Sequence, residues 1–152
     1  MLVSKVGAQR DASGGLHDEG LIGAIGLSNV SPEQYRSARK VTTIACVQNG
    51  YNLADRSGQR LFDSCAADGV PYVPFFPLGS AFALENTVLT APAVVTSATR
   101  LGITPAQVAL AWLLQRSPKV LLIPGTSLLS HARENLAAAA VQLDDEALAD
   151  LG

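Results

Sequence analysis

Small polar and aromatic residues follow the apolar runs of this 152-residue chain, at the points where those runs end. They are Lys5, Ser28-Asn29, Gln48-Asn49, Phe75-Phe76-Pro77-Leu78-Gly79-Ser80 and Gly125-Thr126-Ser127. Amides pair with a carboxamide, an aromatic ring stacks on a flat heterocycle, and glycine or hydroxyl donors at a helix start hold phosphate. Together the groups suit a dinucleotide, although each one alone is more typical of a helix-entry turn or of core packing.

The most direct anion-binding pattern is IPGTSLLSHARENL, residues 123–136. Small polar residues there follow a buried run and precede a helix, whose first amides and dipole favour an anion. His131 lies near the start of this helix, where it either approaches a phosphate or sits on the solvated helix surface. The alternative interpretation of the whole segment is an ordinary connection between a strand and a helix.

The sequence offers little support for nucleophilic catalysis, metal binding, or contact with nucleic acid or a membrane. His17 lies in a polar loop with no partner in register, and there is no Ser-His-Asp grouping and no metal-ligand spacing. Cys46 and Cys65 are interpreted as buried free thiols. A charged fraction of 16% and a net charge of −2 argue against nucleic acid as a partner. No apolar run reaches 18 residues and MLVSKVGAQR lacks the features of a signal peptide, so we expect a cytoplasmic protein without membrane contact.

Five continuously apolar runs predict strands covered on both faces, over 2–6, 23–28, 44–49, 72–77 and 120–125. Two sequences, Ser31-Pro32-Glu33-Gln34 and Thr104-Pro105-Ala106-Gln107, each offer a capping hydroxyl, a first-turn proline and a glutamine three residues on, which predicts helix starts. Further helices are expected over 56–67, about 93–101, 130–140 and 144–151. Trp112 is expected to pack a helix against the sheet.

Strands that alternate with helices predict parallel pairing through right-handed crossovers, in either an open doubly wound sheet or an eight-fold barrel. With 48% hydrophobic residues the chain has enough apolar material for one globular core. The polar, glycine-rich stretch 7–20 breaks the alternation, because a parallel connection normally includes a helix. Periodicity alone does not choose between the two architectures.

Four segments resemble the aldo-keto reductases, NADPH-dependent eight-fold α/β barrels that reduce aldehydes and ketones. GLIGAIGLSNVSPEQ resembles the entry to the family's fifth strand, VQNGYNLADR the sixth, PFFPLGS the seventh, and VALAWLLQRSPKVLLIPGTSLLSHARENLAAA the eighth with its preceding helix and cofactor loop. The resemblance covers residues 20–152. It implies an incomplete (β/α)8 TIM-type barrel of about five parallel strands in a single domain, 1–152, with 1–7 as the third strand, 8–20 as a junction loop and 21–152 as the fifth to eighth βα units.

The resemblance also implies an NADP(H) site, with NAD(H) as the alternative. By position, Ser28, Asn29 and Gln48 match residues that hydrogen-bond the nicotinamide carboxamide. Phe75 falls where the family often has a tyrosine that stacks on the nicotinamide ring.

The remaining cofactor matches lie along the phosphates and the adenine. The resemblance implies pyrophosphate contacts for Leu78, Gly79 and Ser80. It implies contacts with the adenosine phosphate for Gly125 and Thr126, and with the adenine for Glu134 and Asn135. His131 falls where many members have an arginine near the 2′-phosphate, which leaves the preference between NADP and NAD open.

The catalytic groups of the family are mostly missing. LVSKVG resembles the third strand, which would make Lys5 the catalytic lysine. In the family that lysine tunes a proton-donating tyrosine, an aspartate supports it, and a histidine orients the carbonyl. The regions of those three residues have no match, and none of the chain's tyrosines lies in the tyrosine motif. The 22 residues between Lys5 and Ser28 are too few for the missing units, at roughly 31 residues each, so we expect an internal deletion.

Three functions stay open on the sequence. The chain is a partial reductase that binds NADP(H) and a small carbonyl compound, a scaffold reused for a non-redox role such as a cyclase, an isomerase or a binding or dimerisation module, or a fragment of a longer parent. About five strands do not close an eight-strand barrel, so we expect a homodimer whose copies cover the open edges.

Overall fold

The computed structural model describes residues 20, 23–79 and 84–152. The described elements are β1 (Ile25–Ser28), α1 (Pro32–Arg39), β2 (Ile44–Gln48), α2 (Gln59–Ala67), α3 (Pro92–Leu101), α4 (Pro105–Arg116), α5 (Leu129–Ala137), a 3-10 turn (Ala138–Ala140) and α6 (Asp145–Leu151). None of these helices is long and apolar enough to cross a membrane. The strand predicted over 2–6 lies outside the described residues.

The sheet is parallel and follows chain order. β1 pairs with β2, and Tyr72 forms parallel bridges to Val47 on one side and to Val120 on the other. Four chain segments therefore run side by side in the same direction, β1, β2, 72–75 and 120–123. This is the parallel α/β arrangement that the alternation of strands and helices predicts.

The third and fourth segments form isolated bridges instead of the longer strands predicted over 72–77 and 120–125. The amide of Tyr72 donates to the Lys119 carbonyl over 2.9 Å, and the amide of Leu121 donates to the Tyr72 carbonyl over 3.0 Å. The next donor toward the 120–123 segment would be residue 74, which is a proline without an N–H. The ladder therefore stops after one pair.

Both predicted capping boxes are confirmed. At α1 the Ser31 hydroxyl accepts from the Gln34 amide over 3.2 Å, and the Gln34 side chain accepts from the Ser31 amide over 2.8 Å. At α4, Thr104 and Gln107 form the same reciprocal pair, at 3.2 and 3.0 Å. These bonds satisfy amides that have no partner inside the helix, which fixes where each helix begins.

Two other predicted helices have different bounds. The helix predicted from residue 56 begins at Gln59, because residues 56–58 form a turn in which the Arg56 carbonyl accepts from the Gln59 amide over 2.9 Å. The helix predicted over 130–140 is α helical over Leu129–Ala137 and then tightens into the 3-10 turn.

The core lies on the face of the sheet that the helices cover. Tyr51 stacks on Phe62 and Trp112, with ring centroids 4.9 and 5.9 Å apart, and meets Tyr72 edge to face. Trp112 is 1% exposed, which confirms that it packs its helix onto the sheet. Arg56 lies over the outer side of the indole, 4.6 Å from the ring centroid.

The opposite face of the sheet is open. Because side chains alternate along a strand, the residues after the buried Val120 point alternately to the two faces of the sheet. Leu121 and Ile123 are 55% and 48% exposed, whereas Leu122 packs against the core. We call the face that carries Leu121 and Ile123 the inner face.

Candidate functional site

The carboxyl ends of β1 and β2 bring three of the predicted nicotinamide residues together. Ser28 and Gln48 are paired in register as the last residues of their strands. The Asn29 amide donates to the Gln48 carbonyl over 3.0 Å, which keeps Asn29 beside the same strand end. A hydroxyl and two side-chain amides therefore share one edge of the sheet, and both kinds of group pair readily with a carboxamide.

A side-chain clamp supports this edge. Asn29 has a left-handed backbone, with φ of 56°, a conformation that asparagine tolerates better than most residues. The Asn49 side chain donates to the Val30 carbonyl over 2.8 Å and accepts from the Val30 amide over 3.1 Å. Both polar atoms of the Asn49 side chain therefore hold the turn after β1, and we assign Asn49 the role of supporting this turn.

Phe75 extends the same edge by one segment. Its amide donates to the Asn49 carbonyl over 3.1 Å, and it forms a parallel bridge with Gly50. A Cβ on Gly50 would lie 3.1 Å from Cε2 of the Phe75 ring, so the ring lies close over this backbone. The structure thus places a half-buried aromatic ring next to the amides at the ends of β1 and β2.

A groove of about 360 Å³ opens beside these strand ends, at the starts of α1 and α2. It is lined by Asn29, Val30, Pro32, Asn49, Gly50, Asp55, Ser57, Gly58, Leu61 and Phe75. Hydrogen bonds from the Ser57 hydroxyl and amide, at 2.6 and 3.0 Å, hold the pKa of Asp55 below its ordinary value. The groove therefore combines amide, hydroxyl and aromatic groups with one ionised carboxylate.

The turn after Phe75 is held by a second clamp. Phe76 has a left-handed backbone, with φ of 55°. Its carbonyl accepts from the side-chain amide of Asn52 and from the Gly79 amide, both over 3.0 Å. Because the Gly79 amide is already bonded, Gly79 contributes its left-handed conformation, with φ of 90°, and not a free donor for a phosphate.

Asn86 holds the far side of this turn. Its side chain donates to the Leu78 carbonyl over 2.9 Å and accepts from the amides of Val88 and Leu89. A Cβ on Gly79 would lie 2.9 Å from the Asn86 side-chain oxygen, which leaves no room for a larger residue. Leu78 and Gly79, both predicted along the pyrophosphate, therefore sit in a closely held turn.

Asn52 and Asn86 do not come directly after a strand end, so the pattern that points to the other site residues misses them. A different signal could have found both. Each accepts from the amides two and three residues ahead, which is the hydrogen-bond pattern of an Asx turn.

The predicted phosphate and adenine residues lie on a more exposed element. The Thr126 hydroxyl accepts from the Leu128 amide over 3.1 Å, just before α5. A Cβ on Gly125 would meet nothing within 4 Å among the described residues. The helix itself begins without a side-chain cap and has no buried residue.

Three further predicted residues lie along α5. His131 is exposed, whereas Glu134 and Asn135 are partly buried. The Glu134 carbonyl accepts from the Gln107 side chain over 3.3 Å, which ties α5 to α4. The two remaining predicted residues, Lys5 and Ser80, lie outside the described part of the chain.

The three tyrosines of the chain belong to the core. Tyr35, Tyr51 and Tyr72 are each at most 2% exposed. Burial is the main cause that raises the pKa of each hydroxyl, and for Tyr35 a hydrogen bond to Asp68 over 2.9 Å adds to it. A phenol held in its neutral form inside the core is poorly placed to exchange a proton with a substrate in the groove.

The two cysteines differ in their surroundings. Cys65 is buried, and burial raises the pKa of its thiol to about 11, so it is the inert free thiol expected from the sequence. Cys46 is free but only half-buried, and its sulfur would lie 3.0 Å from a Cβ on Gly26. A Cβ at residue 26 would therefore press on this sulfur, and the Cys46 side chain would have to shift.

The donors at the strand ends suit a nicotinamide cofactor. A carboxamide offers two N–H donors and one carbonyl acceptor, and the hydroxyl of Ser28 and the amides of Asn29 and Gln48 both donate and accept. The Phe75 ring adds a flat apolar surface, and the open space at Gly125 leaves its backbone accessible to a phosphate. Within the described residues no three His, Cys, Asp or Glu side chains form a metal site.

Known proteins with similar sequences point in the same direction. The model of the aldo/keto reductase family matches residues 9–152. A pyridoxine 4-dehydrogenase of Escherichia coli (strain K12) is 52% identical over 136 residues, which make up 90% of this chain and 46% of that protein. The chain spans about half the length of the curated relatives it matches.

Solved structures agree on the fold. Two crystal structures of aldo-keto reductases from Klebsiella pneumoniae, one in complex with NADP and acetate and one with NADPH, match with TM-scores of 0.79 and 0.78. They are 31% and 33% identical to this chain, and each match covers 90% of this chain and 49% of the solved one. The predicted fold class, an incomplete (β/α)8 barrel, is confirmed.

Proposed function

Because the chain belongs to the aldo/keto reductase family, we propose that it is a cofactor-binding portion of a reductase barrel and that its strand ends bind NADP(H). The observation that carries the proposal is the register of the sheet, which pairs Ser28 with Gln48 and sets Phe75 against Gly50. The complexes of similar proteins with NADP and NADPH support the choice of cofactor.

In this proposal the residues divide the work by position. Ser28, Asn29 and Gln48 hold the nicotinamide carboxamide, and Phe75 provides the surface on which the ring rests. When bound, the nicotinamide donates or accepts a hydride. Leu78, Gly79, Ser80, Gly125 and Thr126 follow the phosphates, and His131, Glu134 and Asn135 follow the adenosine.

The proposal limits what the chain does alone. Carbonyl reduction needs a proton donor beside the substrate, and the chain's three tyrosines are buried in the core. Lys5, the remaining predicted catalytic residue, acts in the family by tuning a tyrosine whose motif has no match in this sequence. We therefore expect cofactor binding without turnover. Pyridoxine is the first alcohol to test, since a relative at 52% identity is named for it.

Titration with NADPH, followed by the fluorescence of the cofactor, tests the binding. Replacing both Ser28 and Gln48 by alanine removes two hydrogen bonds, at about 0.5–1.5 kcal/mol each, and should weaken binding roughly tenfold. Gln142→Ala is the matched control, because Gln142 is exposed and lies before α6, away from the strand ends. No binding at millimolar NADPH, or equal binding by the Ser28/Gln48 double variant, would contradict the proposal.

The absence of turnover has its own measurement. With pyridoxine and NADP⁺ at millimolar concentration, no absorbance from NADPH should develop above the rate without protein. Steady production of NADPH would mean that the chain, or an assembly of its copies, supplies a proton acceptor, and would contradict the proposed division between binding and catalysis.

A dimerisation role is the second candidate, and the open inner face favours it. We propose that two copies join as a homodimer, with β1 of one copy beside the 120–123 segment of the other. Four parallel segments from each copy would make the eight strands of a barrel, and the contact would cover Leu121 and Ile123.

Light scattering tests the dimer. Leu121→Glu should turn a dimer into a monomer, whereas Leu136→Glu should not, since Leu136 is 78% exposed on α5, away from the inner face. A stable, folded monomer of the unaltered chain at micromolar concentration would contradict this second proposal.

A further inference from the structure

Asn52 is a buried polar residue in the loop that follows β2. It is 8% exposed, one of two polar residues in the described core. Its side-chain oxygen accepts from the backbone amides of Ala54 and Asp55, over 2.9 and 2.8 Å. Its backbone amide donates to the Asp55 carbonyl over 3.0 Å. These bonds fold the loop into an Asx turn and leave the side-chain nitrogen as a donor to something else.

That nitrogen donates to the carbonyl of Phe76, 24 residues further along the chain, over 3.0 Å. Phe76 has a φ of 55°, in the left-handed region that aromatic residues rarely occupy, at a cost of roughly 1–2 kcal/mol. Its ring is 43% exposed and touches Phe75 edge to face, so packing of the ring does little to offset the cost. A hydrogen bond to the carbonyl is a direct way to hold this backbone.

The same carbonyl also accepts from the Gly79 amide over 3.0 Å. Asn52 therefore contacts the one atom that closes the turn between Phe75 and Gly79. The ring expected under the nicotinamide lies just before Phe76, and the residues expected along the pyrophosphate lie just after it.

From this geometry we propose that Asn52 is a positioning residue, which holds the turn Phe76–Gly79 in the form that receives the cofactor. The inference rests on the proposed NADP(H) site, because it states how that site is kept in shape. Asn52 touches no bound group in this account; it acts through the Phe76 carbonyl alone. Removing its donor should loosen the turn and weaken cofactor binding together.

Asn52→Asp replaces the donor by an acceptor. Aspartate keeps an oxygen for the amides of Ala54 and Asp55, so the Asx turn survives. Its second oxygen has no N–H to give to Phe76 and repels the Phe76 carbonyl. In hydrogen–deuterium exchange, the peptide that covers residues 76–79 should exchange at least about tenfold faster than in the unaltered chain, as expected for one lost hydrogen bond together with repulsion between the two oxygens. The NADPH dissociation constant should rise by a similar factor.

A second substitution separates positioning from a general structural role. Asparagine adopts the left-handed region more easily than phenylalanine. Phe76→Asn in the Asn52→Asp background should therefore restore slow exchange and most of the NADPH affinity. If Asn52 served only its own loop, a change at residue 76 would rescue neither measurement.

Exchange and binding also keep the two proposals apart. Unchanged exchange in Asn52→Asp, fast exchange that Phe76→Asn does not rescue, or fast exchange with unaltered NADPH affinity would each overturn the positioning role. A failure of the unaltered chain to bind NADPH at all would overturn the proposed function, and with it the cofactor part of this inference. Slow exchange restored by Phe76→Asn, together with restored binding, supports both.

Discussion

The two ends of the proposed cofactor site are built in opposite ways. At the nicotinamide end, taken here to include the pyrophosphate turn Phe76–Gly79, the side chains of Asn49, Asn52 and Asn86 each bond to the backbone of another turn. At the other end, the adenosine-phosphate residues that we call the phosphate end, the Thr126 side chain bonds only to residue 128 among the described residues, and α5 has neither a side-chain cap nor a buried residue. One end is therefore held before any ligand arrives, and the other has little besides its contact with α4 to hold it.

This difference has a physical consequence for binding. A preformed site binds without ordering its own side chains and turns, whereas a loosely held one must be ordered as the ligand binds. We expect the nicotinamide end to set the geometry and the phosphate end to adapt. Substitutions at matched positions in the two ends should therefore have unequal effects.

Matched leucines behind the two ends should differ most. Leu61 on α2 lines the groove and is 2% exposed, whereas Leu136 on α5 is 78% exposed. Leu61→Ala should lower the free energy of unfolding by about 2–5 kcal/mol, through lost burial and a cavity, and Leu136→Ala should change it by less than about 0.5 kcal/mol. Urea unfolding measures both, and equal losses would remove the contrast.

Matched glycines in the two loops should differ next. Gly79→Ala places a Cβ 2.9 Å from Asn86 in a backbone with φ of 90°, and should cost about 1–3 kcal/mol of stability. Gly125→Ala meets open space and should cost less than about 0.5 kcal/mol. NADPH affinity should fall with the first substitution and change little with the second. A tolerated alanine at residue 79 would mean that the turn is not tightly held.

Charge near the start of α5 should change the choice of cofactor. His131→Arg adds a guanidinium, which binds phosphate through paired hydrogen bonds. Because His131 is exposed, the gain should be modest, roughly three- to tenfold in NADPH affinity at low salt, with NADH affinity unchanged. Parallel titrations with the two cofactors measure it, and an equal gain for both would exclude recognition of the 2′-phosphate.

The smallest effect should come from the ion pair between Arg100 and Asp144, the residue that caps the start of α6. The start of α5 has no side-chain cap. Arg100 forms two hydrogen bonds of 2.6 Å with Asp144 and is the main cause that holds the pKa of this carboxyl well below its ordinary value. Because the folded pKa is the lower one, the ionised carboxylate stabilises the fold above about pH 4, and this contribution fades as the pH falls further.

Arg100→Gln should therefore be slightly less stable than the unaltered chain at pH 7, and the difference should shrink below about pH 4. Arg133→Gln on the exposed α5 is the control, and should not change the pH dependence. Thermal unfolding at several pH values measures both, and a difference at pH 2 as large as that at pH 7 would contradict the role of the Asp144 charge.

Local chemistry made much of the fold predictable. The capping boxes at Ser31 and Thr104 depend on residues three apart, so sequence alone locates those helix starts. The extent of the last two sheet segments was less predictable, because it depends on which neighbour each amide faces. Pro74 ends the ladder because it lacks an N–H at the position that faces the 120–123 segment.

The placement of the candidate residues was predictable where they follow a strand end and not where it depends on contact between loops. Ser28 and Gln48 are the last residues of two adjacent strands, so a parallel sheet must bring them together. Asn52 and Asn86 act on Phe76 and Leu78 across 24 and 8 residues, and nothing in the local sequence names those partners. Lys5 and Ser80 lie outside the described residues and stay predictions.

Titration with NADPH decides whether the ends of β1 and β2 hold the nicotinamide. NADPH is added to the unaltered chain, to the Ser28→Ala/Gln48→Ala double variant and to Gln142→Ala, and cofactor fluorescence is followed to saturation. The account predicts saturable binding by the unaltered chain and by Gln142→Ala, and binding roughly tenfold weaker in the double variant. No saturable binding at millimolar NADPH, or three identical curves, would contradict the claim that these strand ends hold the nicotinamide.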